Sequence, residues 1–160
     1  MASGELPVAM GSAHPLMAPY QAFQTSDGWL NIGSANQGLW QKLTALLGVP
    51  ELADDERFQE PKDRMDNLAE LVDELTGFFK TDTTEAWQQK LEDAGIPAGP
   101  VLNIEQMTAN EQTLAREMVA DVGSSQGSSL RVLGHPVKYS ETPAAIQRRA
   151  PGLGEHNEEV

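Results

Sequence analysis

The stretch that decides the fold is YQAFQTSDGWLNIG, residues 20–33. Apolar and polar residues alternate on both sides of Asp27-Gly28, as expected of β-strands, whose successive side chains point to opposite faces of a sheet. An Asp-Gly pair between two such runs is a short-range signal for a hairpin turn. The stretch therefore predicts a β-hairpin with Asp27-Gly28 at its tip. The alternative is two loops around an accidental alternation.

Three helices are predicted after the hairpin. The first starts after Asn36 as an N-cap, the second runs from about Asp66, and the third starts after Asp82, which Glu85 follows as in a capping box. Each also has one apolar stripe at helical spacing, and such a stripe needs a partner to bury it. We therefore expect the helices to pack on the hairpin around a core of Trp40, Leu43, Leu47, Leu71, Leu75, Phe79, Trp87 and Leu91.

The rest of the chain predicts shorter elements. Residues 96–101 must be extended because two prolines exclude a helix. Helical pieces at 104–107 and 110–117 precede a second hairpin, with strands at 118–122 and 130–133 around a Gly/Ser loop.

Together these elements predict an α+β fold, in which a small antiparallel β-sheet made of hairpins packs with three or more helices. Prolines and glycines near the C-terminus exclude a helix and predict an extended tail. We divide the chain into a leader or linker at 1–15, an α+β domain at 16–140 and the tail at 141–160.

Composition excludes several classes of function. The 160 residues carry a net charge of −13, which disfavours nucleic acid and anionic membrane surfaces as partners. There is no cysteine, so thiolate nucleophiles, disulfides and Cys metal sites are excluded. The first residues lack a basic segment and a long apolar core, and no apolar run reaches transmembrane length, so we expect a cytoplasmic protein.

No catalytic or metal-ligating set stands out. His14, His135 and His156 are far apart and lack metal-ligand spacing, and consecutive carboxylates such as Asp54-Asp55-Glu56 are typical of a solvated surface. The best candidate site is the connection between the second strand and the first helix. Free N–H groups at a helix N-terminus can hold a carboxylate or thioester oxygen. The alternative is an ordinary, well-capped strand-to-helix connection.

The chain resembles the class III CoA-transferases, the group that contains formyl-CoA transferase and carnitine CoA-transferase. The resemblance rests on motifs that occur in family order from about Gly11: DGWLNIGSANQGLW at 27–40, GVP at 48–50, GIPAGPV at 95–101, and the closing HPVKYSETP at 135–143 with APGLGEH at 150–156.

The resemblance implies a substrate-binding loop that covers the active site and is formed by Gly33, Ser34, Ala35, Asn36 and Gln37. It also implies a coenzyme A thioester as substrate or ligand, and no covalently bound cofactor. The family's catalytic aspartate lies in an N-terminal half that no segment here resembles, so no catalytic residue can be assigned and no metal is expected.

Three hypotheses follow from this resemblance. The chain is the small domain and tail of a CoA-transferase and is not catalytic alone, or it is a stand-alone module that binds acyl-CoA or protein, or it is one subunit of a split transferase or racemase. The partners implied are an acyl-CoA and a chain carrying the large domain, or a second copy of this chain.

Overall fold

The computed structural model describes residue 6, residues 8–123 and residues 129–158. These residues form five β-strands, six α-helices and a short 3-10 helix at Pro50–Ala53. The strands are β1 (Tyr20–Gln24), β2 (Trp29–Gly33), β3 (Ala98–Pro100), β4 (Val119–Gly123) and β5 (Ser129–Leu133). The helices are α1 (Gln37–Leu46), α2 (Pro61–Asp66), α3 (Leu68–Phe79), α4 (Thr84–Asp93), α5 (Ile104–Ala109) and α6 (Glu111–Ala115). The predicted α+β class is confirmed.

The chain divides into two compact units, the first ending at Val101 and the second starting at Leu102. The boundaries inferred from sequence at 15/16 and 140/141 stay a prediction.

The first unit is organised by a three-stranded antiparallel sheet of order β1-β2-β3. The predicted hairpin is confirmed: Phe23 pairs with Leu30, Gln24 pairs with Trp29, and the N–H of Thr25 donates to the carbonyl of Gly28 at 3.0 Å to close the turn. Its tip is one residue earlier than predicted, because Ser26 and Asp27 are the central residues of this turn. The predicted extended segment supplies β3, where Gly99 pairs with Asn31. One face of the hairpin is buried, because Phe23, Leu30 and Ile32 have almost no exposed surface.

Helices α1, α3 and α4 bury their apolar stripes in this core. Seven of the eight predicted core residues are buried, and Leu47 is half-buried at the edge of the same cluster. Pattern alone did not single out several further members of the core, which are Ala18, Phe23, Leu30, Ile32, Phe58 and Ile96. The core therefore joins the hairpin, the helices and the turn at Phe58.

Helix ends follow local chemistry, with one correction. Asn36 caps α1 as predicted, accepting from the N–H of Leu39 at 2.9 Å. The predicted cap of α4, Asp82, is wrong: Thr83 is the N-cap and accepts from the N–H of Ala86. The Asp82 carboxylate instead accepts from the N–H of Thr83 and pairs with Lys90 at 2.9 Å. The capping box with Glu85 therefore does not form, because the carboxylate is engaged elsewhere.

The second predicted helix is also corrected at its start. Residues 61–66 form the separate helix α2, and α3 begins at Leu68. Pro61 occupies the first turn of α2, where its missing N–H costs nothing. The N–H of Glu60 donates to the Asp63 carboxylate at 3.2 Å and fixes this start.

A hydrogen-bond network ties the hairpin turn to α4. The Asp27 carboxylate accepts from the N–H and the hydroxyl of Thr84 at 2.8 and 2.9 Å, and from the hydroxyl of Thr25 at 3.2 Å. The hydrogen bond from the N–H of Thr84 is the main cause that lowers the pKa of Asp27 below its ordinary value, and the bond from the Thr84 hydroxyl is the next. The ionised carboxylate therefore stabilises the join between the turn and the helix.

We expect this join to weaken in acid. A carboxyl group whose pKa is lower in the folded than in the unfolded state stabilises the fold above its unfolded pKa of about 4, and the contribution is lost as pH falls through the lower folded pKa. Asp27→Asn should lower the urea midpoint at pH 7, and its difference from wild type should vanish at the most acidic pH. Asp73→Asn, which changes an exposed carboxyl group, is the control; an equal effect of both variants would contradict the prediction.

The second unit contains the predicted second hairpin, formed by β4 and β5 with Val119 opposite Leu133. Residues 124–128 of its predicted loop lie outside the described residues. The helical pieces are confirmed as α5 and α6.

Gly134 follows β5 and donates its N–H to the carbonyl of Met118 at 2.9 Å. Any side chain there would collide with the carbonyl oxygen of Glu117, which would lie 2.1 Å from a Cβ atom. Residues 136–158 form no helix or strand.

Candidate functional site

The connection from β2 to α1, residues 33–37, is anchored at both ends. The N–H of Gly33 donates to the carbonyl of Pro97 at 2.8 Å, and the N–H of Ser34 donates to the carbonyl of Pro19 at 3.0 Å. Asn36 has extended backbone angles, φ −91° and ψ 162°, and its side chain caps α1. A Cβ atom at Gly33 would meet nothing closer than 3.7 Å, so packing alone does not demand glycine there.

Four consecutive backbone N–H groups remain free at this turn. Those of Ala35, Asn36, Gln37 and Gly38 have no hydrogen-bond acceptor among the described residues. Their position at the start of the ten-residue helix α1 adds the positive end of the helix dipole. The arrangement is suited to binding an oxygen atom with negative charge.

The hydroxyl of Ser34 is a second unpaired group of the same loop. Ser34 is completely buried, and its Oγ has no hydrogen-bond partner. Buried polar groups are nearly always paired, so an unpaired hydroxyl at a loop with free N–H groups distinguishes this connection from an ordinary capped turn.

The side chain of Gln37 has a structural role. Its Nε2 donates to the carbonyl of Gln59 at 2.9 Å, and its Oε1 accepts from Nη1 of Arg64 at 3.0 Å. The Oδ1 of Asn36 is occupied by the cap, so the loop offers a ligand its backbone N–H groups, while the unpaired Ser34 hydroxyl is buried in the same loop. The assignment of Gly33, Ser34, Ala35, Asn36 and Gln37 to substrate binding stays a prediction.

Arg64 of α2 holds the residues around the loop together through hydrogen bonds of its guanidinium. It is completely buried; Nε donates to the carbonyl of Ala18 at 2.9 Å, and Nη1 donates to the carbonyl of Phe58 at 2.9 Å and of Gln59 at 3.3 Å. Burial lowers the pKa of Arg64, and no carboxylate among the described residues forms a salt bridge with it. This guanidinium therefore joins the start of the sheet, the turn at Phe58 and the first residue of α1.

Trp40 completes the support on the helix side. Its buried ring lies 5.4 Å from the Arg64 Cζ and meets Phe58 edge-on with centroids 6.5 Å apart. The sequence holds no local signal for this arrangement. Partners of Arg64 such as Ala18 and Gln37 are distant in the chain, so the spacing of residues could not assign its role.

The described residues hold no buried carboxylate and no cluster suited to a metal ion. The buried polar residues among them are Thr25, Ser34, Thr44 and Arg64, none of them a carboxylic acid. No cluster of three or more His, Asp or Glu side chains within the described ranges could hold a metal ion. Within the same ranges, none of the helices has the length and apolarity needed to cross a bilayer. His14 stacks on Tyr20 with centroids 5.3 Å apart, which is a packing role.

Comparison with known proteins gives one consistent match. The family model for CoA-transferase family III matches residues 1–157. An acyl-CoA transferase of Fusarium pseudograminearum is 36% identical over 152 residues, which are 94% of this chain and 33% of that protein. A succinate–glutarate CoA-transferase of Agrobacterium fabrum is 33% identical over an alignment 163 residues long, which covers 99% of this chain and 40% of that protein.

Solved structures agree with the sequence match. The crystal structure of a CAIB/BAIF family protein from Brucella suis superposes with a TM-score of 0.84 at 37% identity, covering 99% of this chain and 40% of that chain. This chain thus spans between a third and two fifths of the length of these relatives.

Proposed function

This chain belongs to CoA-transferase family III, and on that premise we propose that it is the small domain and C-terminal segment of a longer enzyme that transfers CoA from a thioester to a carboxylic acid. The observation that carries the proposal is the match of nearly the whole chain to about two fifths of a longer protein with the same fold. In this proposal the chain needs the remaining part of the enzyme to be catalytic.

The proposed role of the chain is to stabilise charge at the reacting thioester. Attack on a thioester carbonyl places negative charge on its oxygen, and preorganised donors aimed at that oxygen lower the barrier. The free N–H groups of Ala35, Asn36 and Gln37 would supply such donors, and the unpaired Ser34 hydroxyl, which is buried in this chain, would add one more where the loop opens toward the thioester. Covalent transfer also needs a nucleophile, which in this proposal is an aspartate of the remaining part of the enzyme, and none of the buried polar groups among the described residues is a carboxylate.

The net charge of the chain supports the same division of roles between this chain and the remaining part of the enzyme. The chain carries a net charge of −13 and therefore repels the phosphates of CoA. The basic groups that hold the nucleotide end of CoA would belong to the remaining part of the enzyme. A cytoplasmic location is part of the proposal, since acyl-CoA thioesters are metabolites of the cell interior.

The test is a chimaera of the Agrobacterium succinate–glutarate CoA-transferase in which this chain replaces the region that it matches. We expect the chimaera to transfer CoA between succinate and glutarate, and the isolated chain to show no transfer. Turnover by the isolated chain that is lost on changing one Asp or Glu would contradict the proposal. Specific acyl-CoA binding by the isolated chain with an inactive chimaera would favour the stand-alone module.

Ser34→Ala separates the binding role of the loop from a structural one. Because the Ser34 hydroxyl is buried without a partner, its removal should leave the free energy of unfolding unchanged or raise it by up to about 1 kcal/mol. In the chimaera the same change should lower kcat/KM by about tenfold or more. Thr44→Val, which removes a buried hydroxyl that donates to the carbonyl of Gln41 on α1, is the control and should leave kcat/KM unchanged. Equal transfer by S34A and wild type would remove the hydroxyl from the proposed site.

A further inference from the structure

The outer edge of β1 is the strongest feature that the proposed function leaves unexplained. On β2, the carbonyl of Trp29 accepts from Val101 at 2.9 Å and the N–H of Gly33 donates to Pro97 at 2.8 Å, so both residues turn their polar groups away from β1. Polar groups of alternate residues face opposite sides of a strand. In the register of the hairpin, the backbone groups of Gln21 and Phe23 therefore bond β2. The N–H and C=O groups of Tyr20, Ala22 and Gln24 point away from β2, toward the open edge of the sheet.

Only the first part of this edge is covered. The N–H of His14 donates to the carbonyl of Tyr20 at 2.9 Å, and the N–H of Ala22 donates to the hydroxyl of Ser12 at 3.0 Å. The carbonyl of Ala22 and both backbone groups of Gln24 have no hydrogen-bond partner within residues 6, 8–123 and 129–158. An uncovered strand edge is a ready template for another strand.

A pocket of about 370 Å³ opens beside these free groups. Its lining includes Ala22 and Gln24 of the edge and the apolar side chains of Met10, Trp29 and Val72. Trp29 is half exposed although it is a large aromatic residue, and Met10 is 44% exposed. A strand added to the edge would place alternate side chains on this side of the sheet, where the pocket can receive one of them.

We propose that the edge of β1 at Ala22–Gln24, together with this pocket, receives an extended segment from the part of the longer enzyme outside this chain. The inference rests on the proposed function, which assigns such a part. The relatives leave ample chain for this occupant, because the match covers only 40% of the Brucella protein. The docking segment would carry an apolar side chain for the pocket and basic residues beside it, complementary to a chain of net charge −13.

The same charge argues against a second copy as the occupant. Two chains of net charge −13 repel each other. The free edge offers only the carbonyl of Ala22 and the N–H and C=O of Gln24, and hydrogen bonds to these three groups are too few to offset that repulsion alone. A covalently linked segment avoids the entropy cost of association and reaches the edge at high effective concentration.

The test compares the isolated chain with the chimaera described above, using three substitutions. Gln24→Pro removes an outward N–H and leaves the β1–β2 ladder intact, because proline is tolerated where an edge N–H faces outward. Met10→Asp places a charge in the pocket lining. Leu16→Asp is the matched control, since Leu16 is 77% exposed in the same segment and does not line the pocket.

We expect the Gln24 amide to exchange at least 100-fold more slowly in the chimaera than in the isolated chain, measured by hydrogen exchange at residue level. Q24P and M10D should lower the urea midpoint of the chimaera and leave that of the isolated chain unchanged, whereas L16D should change neither. If the chimaera does not fold, the test uses the Agrobacterium enzyme itself. Proline is placed at its residue that aligns with Gln24, and the urea midpoint of that enzyme should fall.

The outcomes separate this inference from the proposed function. A chimaera that transfers CoA but leaves the Gln24 amide unprotected overturns the docking site alone. Protection of Gln24 without transfer supports the docking site and contradicts the proposed function. Protection that grows with the concentration of the isolated chain, together with dimers in sedimentation, would make a second copy the occupant and overturn the inference.

Discussion

Replacing Arg64 by Met should destabilise the first unit by at least about 3 kcal/mol. The change leaves the carbonyls of Ala18 and Phe58 and the amide oxygen of Gln37 without their donor, whereas the Gln59 carbonyl keeps its bond from Gln37 Nε2. Each unsatisfied buried acceptor costs about 1–3 kcal/mol. Part of the loss is offset, because a buried positive charge without an ion pair is itself costly to desolvate. Urea unfolding followed by the fluorescence of the buried Trp40 and Trp87 measures the net effect.

Arg57→Met is the matched control for this prediction. Arg57 pairs with Asp55 and Glu70 at 2.8 Å each, but its side chain is 43% exposed. Exposed ion pairs contribute about 1 kcal/mol or less, so R57M should shift the urea midpoint slightly. If R57M were as destabilising as R64M, the hydrogen bonds of the buried guanidinium would not be the cause. The Arg64 change should also loosen the loop, seen as faster exchange of the Leu39 amide in R64M only.

Local signals predicted most of the first unit. The hairpin at 20–33 and the N-cap Asn36 depend on neighbouring residues, namely an alternating pattern, an Asp-Gly turn and a side chain that reaches three residues ahead. The Asp82 cap was wrong for a local reason as well. Asp82 and Thr83 are adjacent and both suit an N-cap, and the contact of Asp82 with Lys90, eight residues away, decides between them.

The support of the candidate site could not be predicted in this way. Three of the four acceptors of Arg64, at Ala18, Gln37 and Phe58, lie 46, 27 and 6 residues away in the chain. No periodic pattern or spacing brings these positions together before the fold is known. The stretch at 27–40 is predicted because a strand that meets a helix N-terminus is visible in sequence, and the resemblance narrows it to residues 33–37. The unpaired Ser34 hydroxyl, in contrast, depends on burial by distant segments.

Truncation of the aromatic pair Phe79 and Trp87 should have the other large effect on stability. The two rings meet edge-on with centroids 5.1 Å apart, and the Trp87 Nε1 donates to the backbone carbonyl of Phe79 at 2.9 Å. Phe79→Ala and Trp87→Ala should each cost about 3–5 kcal/mol, because each leaves a cavity in the core. The double variant should cost less than the sum by about 0.5–1.5 kcal/mol, the contribution of the ring contact.

Trp29→Ala is the control for this pair, since Trp29 is 50% exposed whereas Trp87 is 6% exposed. Its effect on urea unfolding of the isolated chain should stay near 1 kcal/mol or below, because little apolar surface leaves the core. The Trp87 hydrogen bond makes a further distinction. Phe79→Ala keeps the carbonyl acceptor, so Trp87 should retain its buried emission in the folded variant. A red-shifted Trp87 in F79A, or near-neutral melts for both truncations, would show that α3 and α4 do not share one core with the hairpin.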